Sequence, residues 1–203
     1  MATNLRTKKR PRLTYAIAEL FPREGEWAEE DYLALETNRV IELADGKLEV
    51  AEMPNDLHQL ILGRLFAAIY AFVMQHRLGQ VRFSALPIRL WAGRFREPDL
   101  VFMSAAHADR ITEKYWGMPD LVAEVISPGN PDHDRVRKKG EYARAGIPEY
   151  WVVDPKGRTI EIYLLRVKQY RLDRTLGIGD TLITAQWPGF ELELAGLFAK
   201  EKP

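Results

Sequence analysis

Hydrophobic positions along the 203-residue chain change their period several times, and each change marks an element. Between residues 27 and 36, Ala28, Asp31, Tyr32 and Leu35 recur at helical spacing and predict a short amphipathic helix. Residues 39–43 and 47–50 then flank Ala44-Asp45-Gly46, a turn of hairpin type, so a sheet begins here. Pro54-Asn55-Asp56 supplies breaker and N-cap residues for a long helix over 57–76, with Ile61, Leu65, Ile69, Phe72 and Val73 at helical spacing and Gly79 as its stop. Strands follow at 81–84, 87–91 and 99–103. An irregular stretch holding Trp116, Gly117 and Pro119 leads to a strand at 121–126, broken by Ser127-Pro128-Gly129. Asn130-Pro131 reads as an N-cap and first helical position, opening a helix through Arg144 that a left-handed Gly146 closes. Strands at 149–153 and 159–165 enclose the Asp154-Pro155-Lys156-Gly157 turn, and two more lie near 169–172 and 181–184. This order predicts an α/β (α+β) fold, a mixed sheet flanked by helices, in one domain over 14–203. Residues 1–13, basic and without periodicity, read as a flexible arm.

Two acids interrupt the apolar patterning. Asp99 opens the strand Leu100-Val101-Phe102-Met103 after Glu97-Pro98, and Glu124 stands in the middle of Leu121-Val122-Ala123-Glu124-Val125-Ile126. Alternation gives Glu124 the same face as Val122 and Ile126, where an ionised carboxylate is costly unless a cation or dense hydrogen bonding offsets it. Asp99 alone reads equally well as an acid beside a proline turn; together the two suggest a divalent-metal site.

Metal-assisted phosphodiester cleavage needs such hard oxygen ligands, and also a cation that positions the attacking water and offsets developing charge. The position two past Glu124, on the same strand face, is Ile126 and cannot serve. The following helix offers Lys138, in line with Asp134 and Tyr142, with a stem long enough to reach back toward the strand end. The bland reading is an Asp134–Lys138 helix pair worth ~0.3–0.5 kcal/mol. Lys139, about 100° round the helix, is an alternative amine. His58 falls in the first turn of the long helix, where the dipole disfavours protonation. A neutral imidazole there could accept a proton, and a polar helix start explains it equally well. Arg135, Arg137 and Lys139 form a basic stretch suited to phosphate contact or to a solvated helix face.

Charge and composition narrow the setting. Lys+Arg and Asp+Glu are both 29, so any polyanion site must be local. Cysteine is absent, which removes disulfides, thiolate catalysis and Cys-type zinc sites, and fits a reducing compartment. The strongly apolar run Leu65 to Met74 falls short of the ~18–20 residues of a spanning helix. Lys8, Lys9, Arg10 and Arg12 lead into no signal-type apolar core. The expectation is a cytoplasmic protein with no membrane partner.

The ordered set of motifs resembles the Uma2-type endonuclease family of the PD-(D/E)XK nuclease superfamily, over nearly the whole chain from Trp27 to Phe198. The resemblance rests on Ile41-Glu42-Leu43-Ala44-Asp45-Gly46, His58 after the Pro54 loop, Pro98-Asp99-Leu100-Val101 and Ala123-Glu124-Val125-Ile126-Ser127-Pro128. Asp134-Arg135-Val136-Arg137-Lys138-Lys139-Gly140-Glu141-Tyr142, running into Gly146-Ile147-Pro148-Glu149-Tyr150-Trp151-Val152-Val153-Asp154-Pro155, completes the set. The resemblance implies a restriction-endonuclease-like fold and a Mg2+- or Mn2+-dependent endonuclease acting on DNA. Asp99, Glu124 and the Val125 carbonyl would hold the metal. It further implies that the superfamily lysine has moved from strand to helix as Lys138, and it promotes Glu42, which strand alternation alone would send to solvent, to a member of the site. Double-strand cleavage by this fold usually takes two active sites, which implies a homodimer. A binding module that keeps the nuclease fold without turnover, and a hydrolase of small phosphate compounds, are the rival readings.

Overall fold

The computed structural model describes residues 21–37, 39–127 and 133–199. The expected arm at 1–13, the Pro128-Gly129 breaker and the Asn130-Pro131 helix start lie outside them. The larger of its sheets orders its strands β10 (Gln169–Leu176), β9 (Thr159–Arg166), β8 (Glu149–Asp154), β7 (Leu121–Val125), β6 (Leu100–Ser104) and β3 (Gly79–Phe83). Among the described strands of this sheet, only β7 and β8 run parallel. Their crossover carries a wide π-type turn (His133–Lys138) and the helix α3 (Lys139–Ala145). A four-stranded sheet orders β2 (Lys47–Val50), β1 (Ile41–Ala44), β5 (Arg94–Arg96) and β4 (Ile88–Trp91). The short α1 (Glu29–Leu33) precedes it, and a β11 (Thr181–Leu182) and β12 (Leu192–Glu193) pair leads into α4 (Leu194–Leu197).

Strands β6, β7 and β8 are covered on both faces, which is why they read as continuous apolar runs. On one face the long helix α2 (Asp56–His76) lays Ile61, Leu62, Leu65, Ile69 and Val73 against Leu100, Phe102, Leu121, Ala123 and Val125. On the other, Val101, Val122, Ile126 and Val152 pack with Tyr142 of α3 and with Ile88 and Trp116. Each fully buried aliphatic side chain of this kind contributes roughly 1.5–3 kcal/mol. The second face is the one onto which alternation turns Glu124.

Several expected boundaries move. Helix α2 stops at Arg77, in the left-handed region at φ 53°, and Gly79 instead opens β3. By length and composition α2 is long and apolar enough to cross a membrane, longer than the run the sequence singles out, but its inward stripe is core here. Strand β5 was not expected, because Arg-Phe-Arg looks solvated. Gly146, at φ 92°, closes α3 by donating its N–H to the Ala143 and Tyr142 carbonyls, as its position in the sequence predicts.

Candidate active site

The β6–β7 register sets Leu100 opposite Ala123, and one step further along brings Asp99 beside Glu124. The Val125 N–H donates to Asp99 Oδ2 at 2.7 Å, while the Asp99 N–H meets Glu124 Oε2 only at 3.4 Å. Asn55 caps α2 by accepting from the His58 N–H at 2.9 Å, and the first turn so fixed aims His58 Nε2 at Asp99 Oδ2, 3.1 Å away. From the turn ahead of α3, Lys138 Nζ donates to Glu124 Oε1 at 3.0 Å, and the Tyr142 hydroxyl donates to the same oxygen at 2.6 Å. An amine thus meets Glu124 from outside its own strand, while Ile126 packs with Val122 and Val152. Asp134 at 3.5 Å and Glu42 at 3.6 Å also face Lys138 Nζ.

Glu42 is 3 % exposed, contrary to what alternation alone predicts. The reason is Arg96, which donates to Glu42 Oε2 at 2.6 Å, while the Glu97 N–H donates to Oε1 at 3.1 Å. Arg96 is fully buried and also binds Glu49 at 2.7 Å and Glu141 through two nitrogens at 2.6 and 2.8 Å. Sequence reasoning missed this hub, along with Glu97, whose carboxyl accepts from the Tyr32 hydroxyl at 3.1 Å. The available signal was the Arg-Phe-Arg alternation immediately before Glu97-Pro98-Asp99.

Five of the expected site residues, Glu42, His58, Asp99, Glu124 and Lys138, line one cleft of about 440 Å3 together with Val125. Arg135, Arg137 and Lys139 do not line it. Arg135 pairs with Asp154 and Glu161, Arg137 with Glu49 and Glu141, and Lys139 lies 4.5 Å over the Tyr163 ring.

Burial dominates the protonation of the cleft. It lifts the Glu124 carboxyl to about 8, with Lys138 pulling down and the Asp134 and Asp99 charges pushing up. Burial also opposes the charge on Lys138, but Glu124, Glu42 and Asp134 outweigh it and keep the amine an ammonium well above its usual range. At Glu42 burial loses to the Lys138 and Arg96 charges, and the carboxyl falls below its usual range. Burial would lower His58; the hydrogen bond and charge of Asp99, with the Val125 backbone, raise it instead. That reverses the expectation drawn from the helix dipole, because a carboxylate in direct contact outweighs a partial charge at the helix end.

The donor set fits a hard divalent cation. Each acid turns one oxygen to protein donors and keeps the other nearly unengaged: Asp99 Oδ1 has no partner among the described residues, and Glu124 Oε2 only the 3.4 Å contact. Among the described residues no group of three or more His, Asp or Glu side chains forms a ready cage. Mg2+ does not require one, since it binds through one or two carboxylates and keeps several waters.

The fold is a mixed sheet with helices on its faces, and at one strand end it brings two acids together with an amine. A crystal structure of a protein from Anabaena variabilis, described as a "putative nuclease belonging to DUF820", shares that fold at TM-score 0.69 and 18 % identity, over 85 % of this chain and 97 % of the other. The family described as "Uma2: Putative restriction endonuclease" matches residues 29–195, and the chain belongs to it. No curated protein matches the chain.

Proposed function

We propose that the protein is a divalent-metal-dependent nuclease that hydrolyses phosphodiester bonds in nucleic acid, with DNA as the substrate that its family description favours. The observation that carries this reading is the meeting of Asp99, Glu124 and the Lys138 ammonium in one cleft. Asp99 and Glu124, with the Val125 carbonyl, would hold Mg2+ or Mn2+, which when bound supplies Lewis-acid polarisation of the phosphoryl group. Lys138, being an ammonium, is no base; it donates to the attacking water or to a phosphoryl oxygen and offsets the charge that develops there. His58 orients Asp99, and Glu42, clamped by Arg96, holds the far side of Lys138. Arg135, Arg137 and Lys139 reach a phosphate only by giving up their present partners.

Asp99→Asn and Glu124→Gln keep shape and the shorter hydrogen bonds, so both should stay folded and lose Mg2+- or Mn2+-dependent cleavage by at least about 100-fold. Wild-type protein that cuts neither DNA nor RNA with either metal, or variants that cut like wild type, would end this reading.

One observation favours a second. Glu124 is already satisfied internally by Lys138 and Tyr142, as in a binding module that keeps the fold without turnover. Calorimetric titration separates the two, because the module takes up no Mg2+ or Mn2+ while the nuclease takes up either through Asp99 and Glu124.

A further inference from the structure

An aromatic ladder runs from the outer surface of α2 into the cleft. Tyr70, 40 % exposed, stacks on the half-buried Phe66 with centroids 5.3 Å apart, and Phe66 meets Phe83 edge-on at 4.7 Å. Phe83 is 51 % exposed, lines the cleft and stands opposite Leu100, while the next residue, Ser84, donates its N–H to the Asp99 carbonyl at 2.9 Å. A half-exposed ring held from one side therefore stands beside the strand end that carries Asp99 and lines the same cleft. Across the same cleft Met53 is exposed as well. A single exposed phenylalanine signifies little; a contiguous aromatic run ending in a functional cleft calls for an occupant.

The charges around the cleft point to which occupant. Duplex DNA is gripped chiefly by lysines and arginines that neutralise phosphates. Lys138, faced by Glu124, Glu42 and Asp134, is the one lysine or arginine among the described residues that line the cleft, and Arg94, Arg96, Arg135 and Arg137 nearby each close on carboxylates. Stacking on an aromatic face adds affinity that does not come from phosphate cations, and a base inside a duplex cannot offer that face.

We infer that the cleft takes its nucleic acid as an unpaired strand, with the base next to the scissile phosphate stacked on Phe83 and the strand continuing along Phe66 and Tyr70. This rests on the nuclease reading for the identity of the polymer and deepens it to a substrate class.

The test measures binding of an oligonucleotide carrying 2-aminopurine, single-stranded or annealed to its complement, in EDTA so that nothing is cut. The single strand should bind at least about tenfold more tightly than the duplex and its fluorescence should be quenched. Phe83→Ala should lose about tenfold, as for one stacked base, with Phe83→Trp retaining affinity. Raising salt from 50 to 200 mM should weaken binding far less than the roughly thousandfold of a phosphate-clamping protein. Preference for duplex, or wild-type affinity in Phe83→Ala, overturns the inference. Cleavage with Mg2+ or Mn2+ is scored separately on both substrates. Duplex cutting that ignores Phe83 leaves the nuclease and removes the stacking, whereas Phe83-dependent strand binding without any cutting leaves the stacking and removes the nuclease. Failure to bind either form overturns the inference, and the nuclease reading falls with it only if neither substrate is cut with either metal.

Discussion

Replacing Arg96 by methionine should cost more stability than any other single change beside the cleft. The guanidinium is fully buried and holds Glu42, Glu49 and Glu141 at 2.6 to 2.8 Å. Methionine fills much of the space but leaves Glu42, itself 3 % exposed, with only Lys138 at 3.6 Å and the Glu97 N–H. Breaking a buried pair from one side costs about 3–5 kcal/mol, a large share of a total stability of ~5–15 kcal/mol. Burial pushes the Glu42 carboxyl up, and the Lys138 and Arg96 charges overcome it, so its folded value lies below the usual 4.5. A depressed carboxyl contributes stability that is present above 4.5 and lost as pH falls through the folded value. Without Arg96 that contribution shrinks, so the gap between wild type and Arg96→Met should be widest near neutral pH and narrow as pH falls below 4.5 through the lowered folded values of Glu42 and Glu49. Urea unfolding followed by circular dichroism at pH 7 and pH 4 measures it. Adding Glu42→Gln to Arg96→Met should restore part of the loss, because the stranded charge is gone. A loss under about 1 kcal/mol at pH 7, a gap that widens in acid, or a double variant weaker than Arg96→Met would refute the reasoning.

Two further outcomes follow from groups away from the metal pair. Glu149 is buried and raised by that burial, against hydrogen bonds from Trp151 Nε1 at 2.7 Å and Thr184 Oγ1 at 3.0 Å. A raised carboxyl binds its proton more tightly folded than unfolded, so wild type loses stability as pH climbs from 4.5 through the folded value. Glu149→Gln should escape that loss and be neutral to stabilising by about 1 kcal/mol at pH 8, with little difference at pH 4; greater destabilisation at pH 8 than at pH 4 would show the opposite sign. Asn55→Ala removes the acceptor of the His58 N–H and should lower stability by about 1 kcal/mol in thermal unfolding, while an unchanged midpoint would mean that the cap contributes nothing.

What could be read in advance divides along a physical line. Glu124 was legible because a carboxylate among apolar strand neighbours violates a local rule, and the α2 stripe and the Gly146 cap were legible because helix period and left-handed backbone are local requirements. Arg96 and Glu42 were not, because each looks solvated alone. Their burial becomes affordable only when β1, β2, β5 and α3 bring Glu42, Glu49, Arg96 and Glu141 together from distant parts of the chain. The same blindness affects Arg135 and Arg137: a basic run suits phosphate until folding reveals Glu161, Asp154, Glu49 and Glu141 already opposite. Lys138 lies between these cases. Its reach to Glu124 follows from a short connection between strand and helix, but its choice over Lys139 came from resemblance; in the structure Lys139 lies over the Tyr163 ring while Lys138 faces Glu124. An amine carried by the turn ahead of α3 is bound to the acid through tertiary packing rather than by a shared strand. Perturbing the turn ahead of α3 should therefore move the ammonium without moving either carboxylate.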